Sequence, residues 1–303
     1  MEKSAALPER TFPTAQEDAE KETVAPQPLY EGPESAYRLA FTDVDFLLRE
    51  ELRPIRLQLE LLKPQMIQDE QGIEATIVFF GSARILAPEV AERELAAVTA
   101  SGGDAQALRM AQTRVAMSRY YEEARRFAGI VTRRSVSLAK PIYVVTGGGP
   151  GIMEAGNRGA FEVGGKSVGL NIVLTHEQVP NRFITPELCF QFHYFALRKM
   201  HFLMRAVALV CFPGGFGTLD EMFEVLTLVQ TGKSRMRPIL LFGREFWSRL
   251  IDFDLLIETG MISPGDVKLF HFVETAEEAW ATLAAEYGYD LPDTTTGELA
   301  LDI

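Results

Sequence analysis

The stretch Pro213-Gly214-Gly215-Phe216-Gly217-Thr218-Leu219-Asp220-Glu221 brings two kinds of chemistry together. It follows the apolar run 206–212 and leads into a helical pattern over 218–231. A glycine turn between a buried strand and a helix start exposes backbone N–H groups, and the helix dipole adds positive potential there. Gly214, Gly215, Phe216, Gly217 and Thr218 are therefore candidates for holding a phosphate. Glu221, one turn further on, is a candidate catalytic acid or base, with Asp220 beside it. Structural readings compete with both. Thr218 and Glu221 have the spacing of a capping box, Thr218 as N-cap and Glu221 three positions on. Asp220 would suit any helix N-terminus as a favourable anion. On spacing alone the capping box is the simpler account of Glu221.

Two more strand-like runs end in glycine turns: Phe79-Phe80-Gly81-Ser82-Ala83-Arg84 and Val145-Thr146-Gly147-Gly148-Gly149-Pro150-Gly151-Ile152-Met153-Glu154. One glycine after a strand is ordinary turn chemistry. Three such turns at one edge of a sheet can line a single pocket. Gly81, Ser82, Arg84, Gly147, Gly148, Gly149 and Met153 join the candidate ligand contacts on that ground. A dinucleotide fingerprint fits poorly, because the third glycine is misplaced and no ribose-binding carboxylate ends the following strand, Val168-Gly169-Leu170-Asn171-Ile172. No Gly-Lys-Ser/Thr follows any turn, which removes a Walker A loop. A mononucleotide fits better than either.

Arg198-Lys199 lies in the segment 195–205, whose Phe195, Leu197, Met200, Leu203 and Met204 suggest a largely buried helix. An Arg-Lys pair is commonly a solvated face. This helix, however, precedes the strand that leads to the phosphate turn. Arg198 could clamp a phosphate or orient Glu221 through bidentate bonds. Two carboxylates beside a phosphate would in any case require such a cation.

The elements that position these residues read as strands over 76–80, 142–145, 167–173, 188–192, 206–212, 238–242 and 270–273. Helical patterns cover 105–127, 150–163, 195–204, 218–231, 245–258 and 275–286. Short apolar strands alternating with helices predict an α/β fold, a Rossmann-like doubly wound, mostly parallel sheet with helices on both faces. Residues 1–33 have a disordered composition, 34–74 form a helical extension, 75–290 the nucleotide-binding catalytic domain, and 291–303 a flexible tail. Pro54 and Pro64 should break or restart the helix over 34–69.

The net charge of -12 disfavours a nucleic-acid partner. No apolar run approaches the about 20 residues of a membrane helix, and the N-terminus lacks a signal-peptide core, so a cytoplasmic protein without a membrane partner is expected. Cys189 and Cys211 read as buried thiols in a reducing compartment. His176, His193, His201 and His271 have no metal-ligand spacing, and no metal or organic cofactor is expected.

The Arg198-Lys199 pair, the 23-residue step from Arg198 to Glu221 and the Pro-Gly-Gly-x-Gly-Thr-x-x-Glu motif resemble the Lonely guy family over roughly residues 75–287. Its members are cytokinin riboside 5′-monophosphate phosphoribohydrolases, often labelled "possible lysine decarboxylase". The resemblance implies hydrolysis of the N-glycosidic bond of a nucleoside 5′-monophosphate, AMP or a cytokinin riboside 5′-monophosphate, to free base and ribose 5-phosphate. It implies Arg198 and Glu221 as the catalytic pair, Gly214, Gly215, Gly217 and Thr218 as the phosphate turn, and a homodimer or larger homo-oligomer. Glu177 and Thr227 match positions that touch the nucleotide, and Lys199 joins the substrate contacts. The second turn, the long region between Arg84 and Phe127 and the helical extension look more like longer bacterial members. The rival from another class is a non-catalytic nucleotide or molybdenum-cofactor carrier on the same fold, which would not need Arg198 and Glu221. Lysine decarboxylation is poorly supported, because no lysine has a pyridoxal phosphate context.

Overall fold

The computed structural model describes residues 13–21, 30, 35–174 and 179–288. The chain divides into two compact units, 1–59 and 60–303. The first holds α1 (Ala15–Lys21), α2 (Val44–Leu47) and the start of α3 (Arg53–Glu70). Helix α1 lies in the segment whose composition reads as disordered, and none of its residues is buried. Asp43 caps α2 by accepting the Phe46 N–H at 3.0 Å. The helical reading of 34–69 holds only from Val44 onward, since 35–43 is turn and coil.

Helix α3 runs through Pro64, contrary to the expected break. Proline lacks the N–H that would bond the carbonyl four residues back, which leaves the Glu60 carbonyl without its helical donor. The Pro64 carbonyl stays useful, accepting from the Gln68 side chain at 3.0 Å.

The second unit alternates strands and helices. It runs β1 (Ala75–Phe80), α4 (Pro88–Ala100), α5 (Ala105–Met117), α6 (Arg119–Ser135), β2 (Ile142–Thr146), α7 (Ile152–Glu162), β3 (Ser167–Ile172), β4 (Cys189–Phe192) and α8 (Phe195–Met204). It continues with β5 (Ala206–Cys211), α9 (Phe216–Gln230), β6 (Ile239–Phe242), α10 (Arg244–Leu250), α11 (Phe253–Glu258), β7 (His271–Val273) and α12 (Ala276–Tyr287). All seven strands pair in parallel in the order β4-β3-β2-β1-β5-β6-β7. The order reverses between β1 and β5, and ligands of doubly wound sheets bind beyond the strand ends at that reversal.

Both faces of the inner strands are covered, which is why β1, β5 and β6 are almost continuously apolar, while the edge strands β4 and β7 expose Gln191 and His271. Ile77 and Phe79 of β1 pack on one face with Tyr121, Phe127 and Val131 of α6 and Leu283 of α12. Val78 and Phe80 point to the other face, with Phe202 of α8, Met222 and Val225 of α9, and Trp247 of α10. Burial of each such side chain contributes about 1.5–3 kcal/mol. This is the Rossmann-like fold expected, with a helical extension before it.

The helices needed correction. The single helix expected over 105–127 is two, parted at Ser118, whose hydroxyl donates back to the Val115 carbonyl at 2.7 Å. The helix expected over 245–258 is also two, because Asp252 accepts the Leu255 N–H at 2.9 Å and starts α11 afresh. Helix α4 was not foreseen; only Ala91 of it is buried, so its apolar stripe is weak. Among the described residues no helix is long and apolar enough to cross a membrane.

Candidate active site

Helix α9 starts earlier than the capping-box spacing implies. Its N-cap is Gly215, without a side-chain cap bond, and its first residue is Phe216. The Thr218 and Leu219 N–H groups both return to the Gly215 carbonyl at 3.0 Å. Thr218 is therefore inside the helix and cannot cap it. The N–H groups of Gly215, Phe216 and Gly217 find no acceptor among the described residues. They form the donor cluster that an anion at a helix N-terminus uses. The turn needs glycine at 214, because a Cβ there would run into the Thr218 side chain.

The capping-box account of Glu221 fails with this shift. Glu221 lies about a turn and a half inside α9, only 6% exposed, and its Oε2 has no hydrogen-bond partner among the described residues. Burial pushes its carboxyl up to about 7; Lys199 and Arg198 oppose the shift, while Glu224 and Asp220 add to it. A carboxyl poised near neutrality can hold or release a proton at working pH.

The three glycine turns do meet. The Ser82 N–H donates to the Pro213 carbonyl at 3.1 Å, and the Ser82 carbonyl accepts the Ile152 N–H at 3.2 Å. Around them opens a cleft of about 730 Å³, lined by Gly81, Ser82, Arg84, Gly147, Met153, Arg198, Gly214, Gly215, Phe216, Gly217, Thr218, Asp220 and Glu221. All of these were singled out from the sequence.

Arg198 enters the cleft from α8. Its Nε donates to the Leu170 carbonyl of β3 at 2.7 Å, and its guanidinium lies 5.2 Å from the Phe202 ring centre. A Cβ on Gly147 would come within 2.6 Å of its Nη2, so a side chain there would displace the guanidinium. The expected bidentate bond to Glu221 is not formed: the two share the cleft without an ion pair within 4 Å. Burial lowers the Arg198 pKa and the nearby Glu221 charge opposes that. Its terminal nitrogens find no acceptor among the described residues, which leaves donors for a ligand.

Other expected contacts fall elsewhere. Lys199 does not line the cleft; its Nζ pairs with Asp220 at 2.9 Å and Glu224 at 2.7 Å, tying α8 to α9. Gly148 and Gly149 turn their carbonyls to the Asn181 side chain, each at 3.1 Å. Thr227 is exposed and its hydroxyl donates to the Phe223 carbonyl at 2.7 Å. Glu177 and His176 lie outside the described residues. His201 is buried, His193 and His271 are exposed, and none of the three lines the cleft. Cys211 is buried and Cys189 half-buried, both as free thiols.

The sequence reading missed the apolar wall. Ile172, Leu174, Phe195, Phe202, Phe246 and Leu250 also line the cleft. Phe195, whose apolar spacing suggests a core position, is 54% exposed. Planar and aliphatic surfaces facing a phosphate turn suit a ligand with an apolar, flat end. A second cleft of about 690 Å³ lies beyond the second turn, between Pro150, Arg158 and Phe183. Its Arg158 is already engaged by Glu162 at 2.8 Å and Glu89 at 3.3 Å, so it presents less free charge.

Residues 153–283 match the family model described as "Possible lysine decarboxylase". A probable cytokinin riboside 5′-monophosphate phosphoribohydrolase of Oryza sativa subsp. japonica is 28% identical over 46% of this chain and 67% of that protein. A cytokinin riboside 5′-monophosphate phosphoribohydrolase of Arabidopsis thaliana is 32% identical over 42% of this chain and 60% of its own length. The chain is similar to the Lonely guy family. A further Arabidopsis thaliana enzyme of that name is 38% identical, with 22% of this chain and 31% of that protein matched. The chain thus spans from about a third to two thirds of these Lonely guy relatives. Among solved structures, a molybdenum cofactor binding protein of Rippkaea orientalis superposes with a TM-score of 0.46 at 13% identity, over 71% of this chain and 98% of that one. The molybdenum cofactor carrier protein of Chlamydomonas reinhardtii gives 0.43 at 16% identity, over 71% and 99%.

Proposed function

We propose that the chain hydrolyses the N-glycosidic bond of a nucleoside 5′-monophosphate, AMP or an N6-substituted AMP such as a cytokinin riboside 5′-monophosphate. The observation that carries this is Glu221: a buried, unpartnered carboxyl poised near neutrality, on the helix whose start is the donor-rich glycine turn. The 5′-phosphate sits on the free N–H groups of Gly215, Phe216 and Gly217 and draws on Arg198. The base lies against the apolar wall. As the bond from C1′ to the base nitrogen breaks, positive charge builds on the ribose, and the Glu221 carboxylate stabilises it. Water adds its oxygen to C1′ and gives a proton to Glu221; the departing base takes one proton from solvent, and Glu221 then returns its proton to solvent, so that one water is consumed in all. Ribose 5-phosphate and free base leave. Phosphate binding remote from the reacting carbon supplies orientation energy.

The active form is a homodimer or larger homo-oligomer, which the exposure of Phe195, Met200 and Met204 on α8 supports, and the two free thiols suit the cytoplasm. The test is to incubate the pure protein with a panel of nucleoside monophosphates and nucleosides and assay released base. Release from AMP or its N6-substituted forms, with the nucleosides barely cleaved, is expected. Equal turnover of adenosine and AMP overturns the phosphate-anchored reading, and tight AMP binding without any release favours a carrier. Sedimentation showing a fully active monomer would remove the oligomer.

A further inference from the structure

Arg198 depends on the placement of α8, and α8 is poorly equipped to hold its own first turn. Its N-cap is Tyr194, with no side-chain cap bond, and its first turn carries no acidic residue. The missing acceptor comes from far away in the chain. The Glu60 carboxylate, on the part of α3 that belongs to the second unit, accepts the His193 N–H at 2.8 Å and the Tyr194 N–H at 3.1 Å. Each oxygen takes one backbone donor, and the negative charge sits at the positive end of the α8 dipole.

The C-terminal part of α3 and the segment that follows it secure the other end of α8. Arg205, the C-cap, donates to the Ile73 carbonyl at 2.6 Å, to the Gln65 carbonyl at 3.2 Å and to Asp69 at 2.8 Å. Between these ends the buried His201 faces the Glu60 and Leu61 carbonyls. The first of these is the carbonyl that Pro64 deprives of its helical donor. The proline that should have broken α3 thus opens a polar position on the face α8 meets.

We propose that Glu60 is a positioning residue: by capping α8 from α3 it sets the register in which Arg198 bonds the Leu170 carbonyl and projects its free nitrogens into the cleft. This rests on the catalytic reading of that cleft, but the seam itself can be tested separately. Hydrogen exchange of the full chain, read by mass spectrometry, should accelerate about 10-fold or more over residues 193–204 in Glu60→Ala. Glu60→Gln, which keeps one carbonyl acceptor, should fall between Glu60→Ala and wild type. Unchanged exchange over 193–204 in Glu60→Ala, or acceleration spread evenly over the chain, overturns the proposal.

The link to Arg198 is read by a double-mutant cycle on AMP cleavage. Glu60→Ala should lower kcat/KM about 10-fold or more in the wild-type background and less than about twofold in Arg198→Ala. Equal losses in both backgrounds would show a general structural role and overturn the positioning claim. If Glu60→Ala does not fold, Glu60→Gln carries both measurements, with smaller effects of the same pattern. Should wild type cleave no monophosphate, the catalytic reading fails, and the exchange experiment still decides the seam.

Discussion

Two helices of this chain carry the same Thr-x-x-Glu signature near their starts, and they use it in opposite ways. At α12, Thr275 accepts the Glu278 N–H at 3.2 Å, and Glu278 reaches back to the Thr275 N–H at 3.4 Å, a complete capping box. At α9, Thr218 and Glu221 have the same spacing, but Gly215 is the N-cap and the pair lies inside the helix. Glu278 is exposed and satisfied; Glu221 is buried with an orphaned oxygen. The difference is set three residues upstream. A glycine turn that leaves N–H groups open moves the helix start, and the carboxylate is carried from the cap into the cleft. A buried unpaired acceptor costs about 1–3 kcal/mol, a cost that a mere cap would not explain.

Function separates the two glutamates most sharply. Glu221→Gln should lower kcat for base release by roughly 10²–10⁴-fold with nucleotide binding retained, while Glu278→Gln leaves kcat unchanged. Wild-type kcat/KM should also rise through an apparent pKa near 7 that Glu221→Gln abolishes, as burial of this carboxyl implies. Near-normal kcat in Glu221→Gln would make α9 a second α12, with a cap mistaken for a catalyst.

Arg198→Ala comes next. Its guanidinium makes one bond to Leu170, and in the proposed reading its terminal nitrogens hold the nucleotide, so both AMP affinity and kcat should fall, each about 10-fold or more. Calorimetric Kd and single-turnover rates separate the two. Loss of kcat with Kd intact would assign Arg198 to the transition state alone.

The comparison also has a signature in stability. The Glu221 carboxyl is raised from 4.5 to about 7 in the fold. Below pH 4.5 it is protonated in folded and unfolded chains alike and contributes no pH dependence. Between 4.5 and 7 the unfolded chain releases this proton while the folded chain keeps it, so stability falls as pH rises. Glu221→Gln removes that slope and should be more stable than wild type by on the order of 1–3 kcal/mol at pH 7 and above. Denaturant midpoints at pH 4.5 and 7.5 measure it. A Glu221→Gln protein less stable at both pH values would mean that the carboxylate is satisfied in the fold.

Much of this was legible in the sequence. The inner strands are largely apolar runs because both sheet faces are covered there, and each of the seven described strands lies within two residues of its expected bounds. Parallel topology puts the three glycine turns at one edge of the sheet, and they meet because β2, β1 and β5 are neighbours. What failed was local and degenerate. Thr-x-x-Glu fits a box at 218 and at 275, and only the backbone of 213–217 tells them apart. Helix α4 buries a single alanine, too little for periodicity to register. Lys199 follows Arg198 in the chain, yet the helix turn sends one side chain to the cleft and the other to Asp220 and Glu224. The partnership of Glu60 with residues 193 and 194 spans more than half of the unit and has no sequence signal at all.

The smallest expected effect lies at the true cap and tests whether capping accounts for α12 alone. Thr275→Ala removes the acceptor for the Glu278 N–H and should cost about 1 kcal/mol, while kcat/KM for AMP stays at the wild-type value. Glu278→Gln should cost only a few tenths of a kcal/mol, because glutamine also serves at the third position of a box. At α9 the same reasoning gives the opposite ranking. The isosteric change at Glu221 stabilises the fold and removes catalysis, whereas at Glu278 it slightly destabilises the fold and spares catalysis. Thermal melts and base-release assays on the two glutamine variants, prepared side by side, check both signs. If both variants lose a few tenths of a kcal/mol and keep full activity, the upstream shift of the α9 start has no functional meaning.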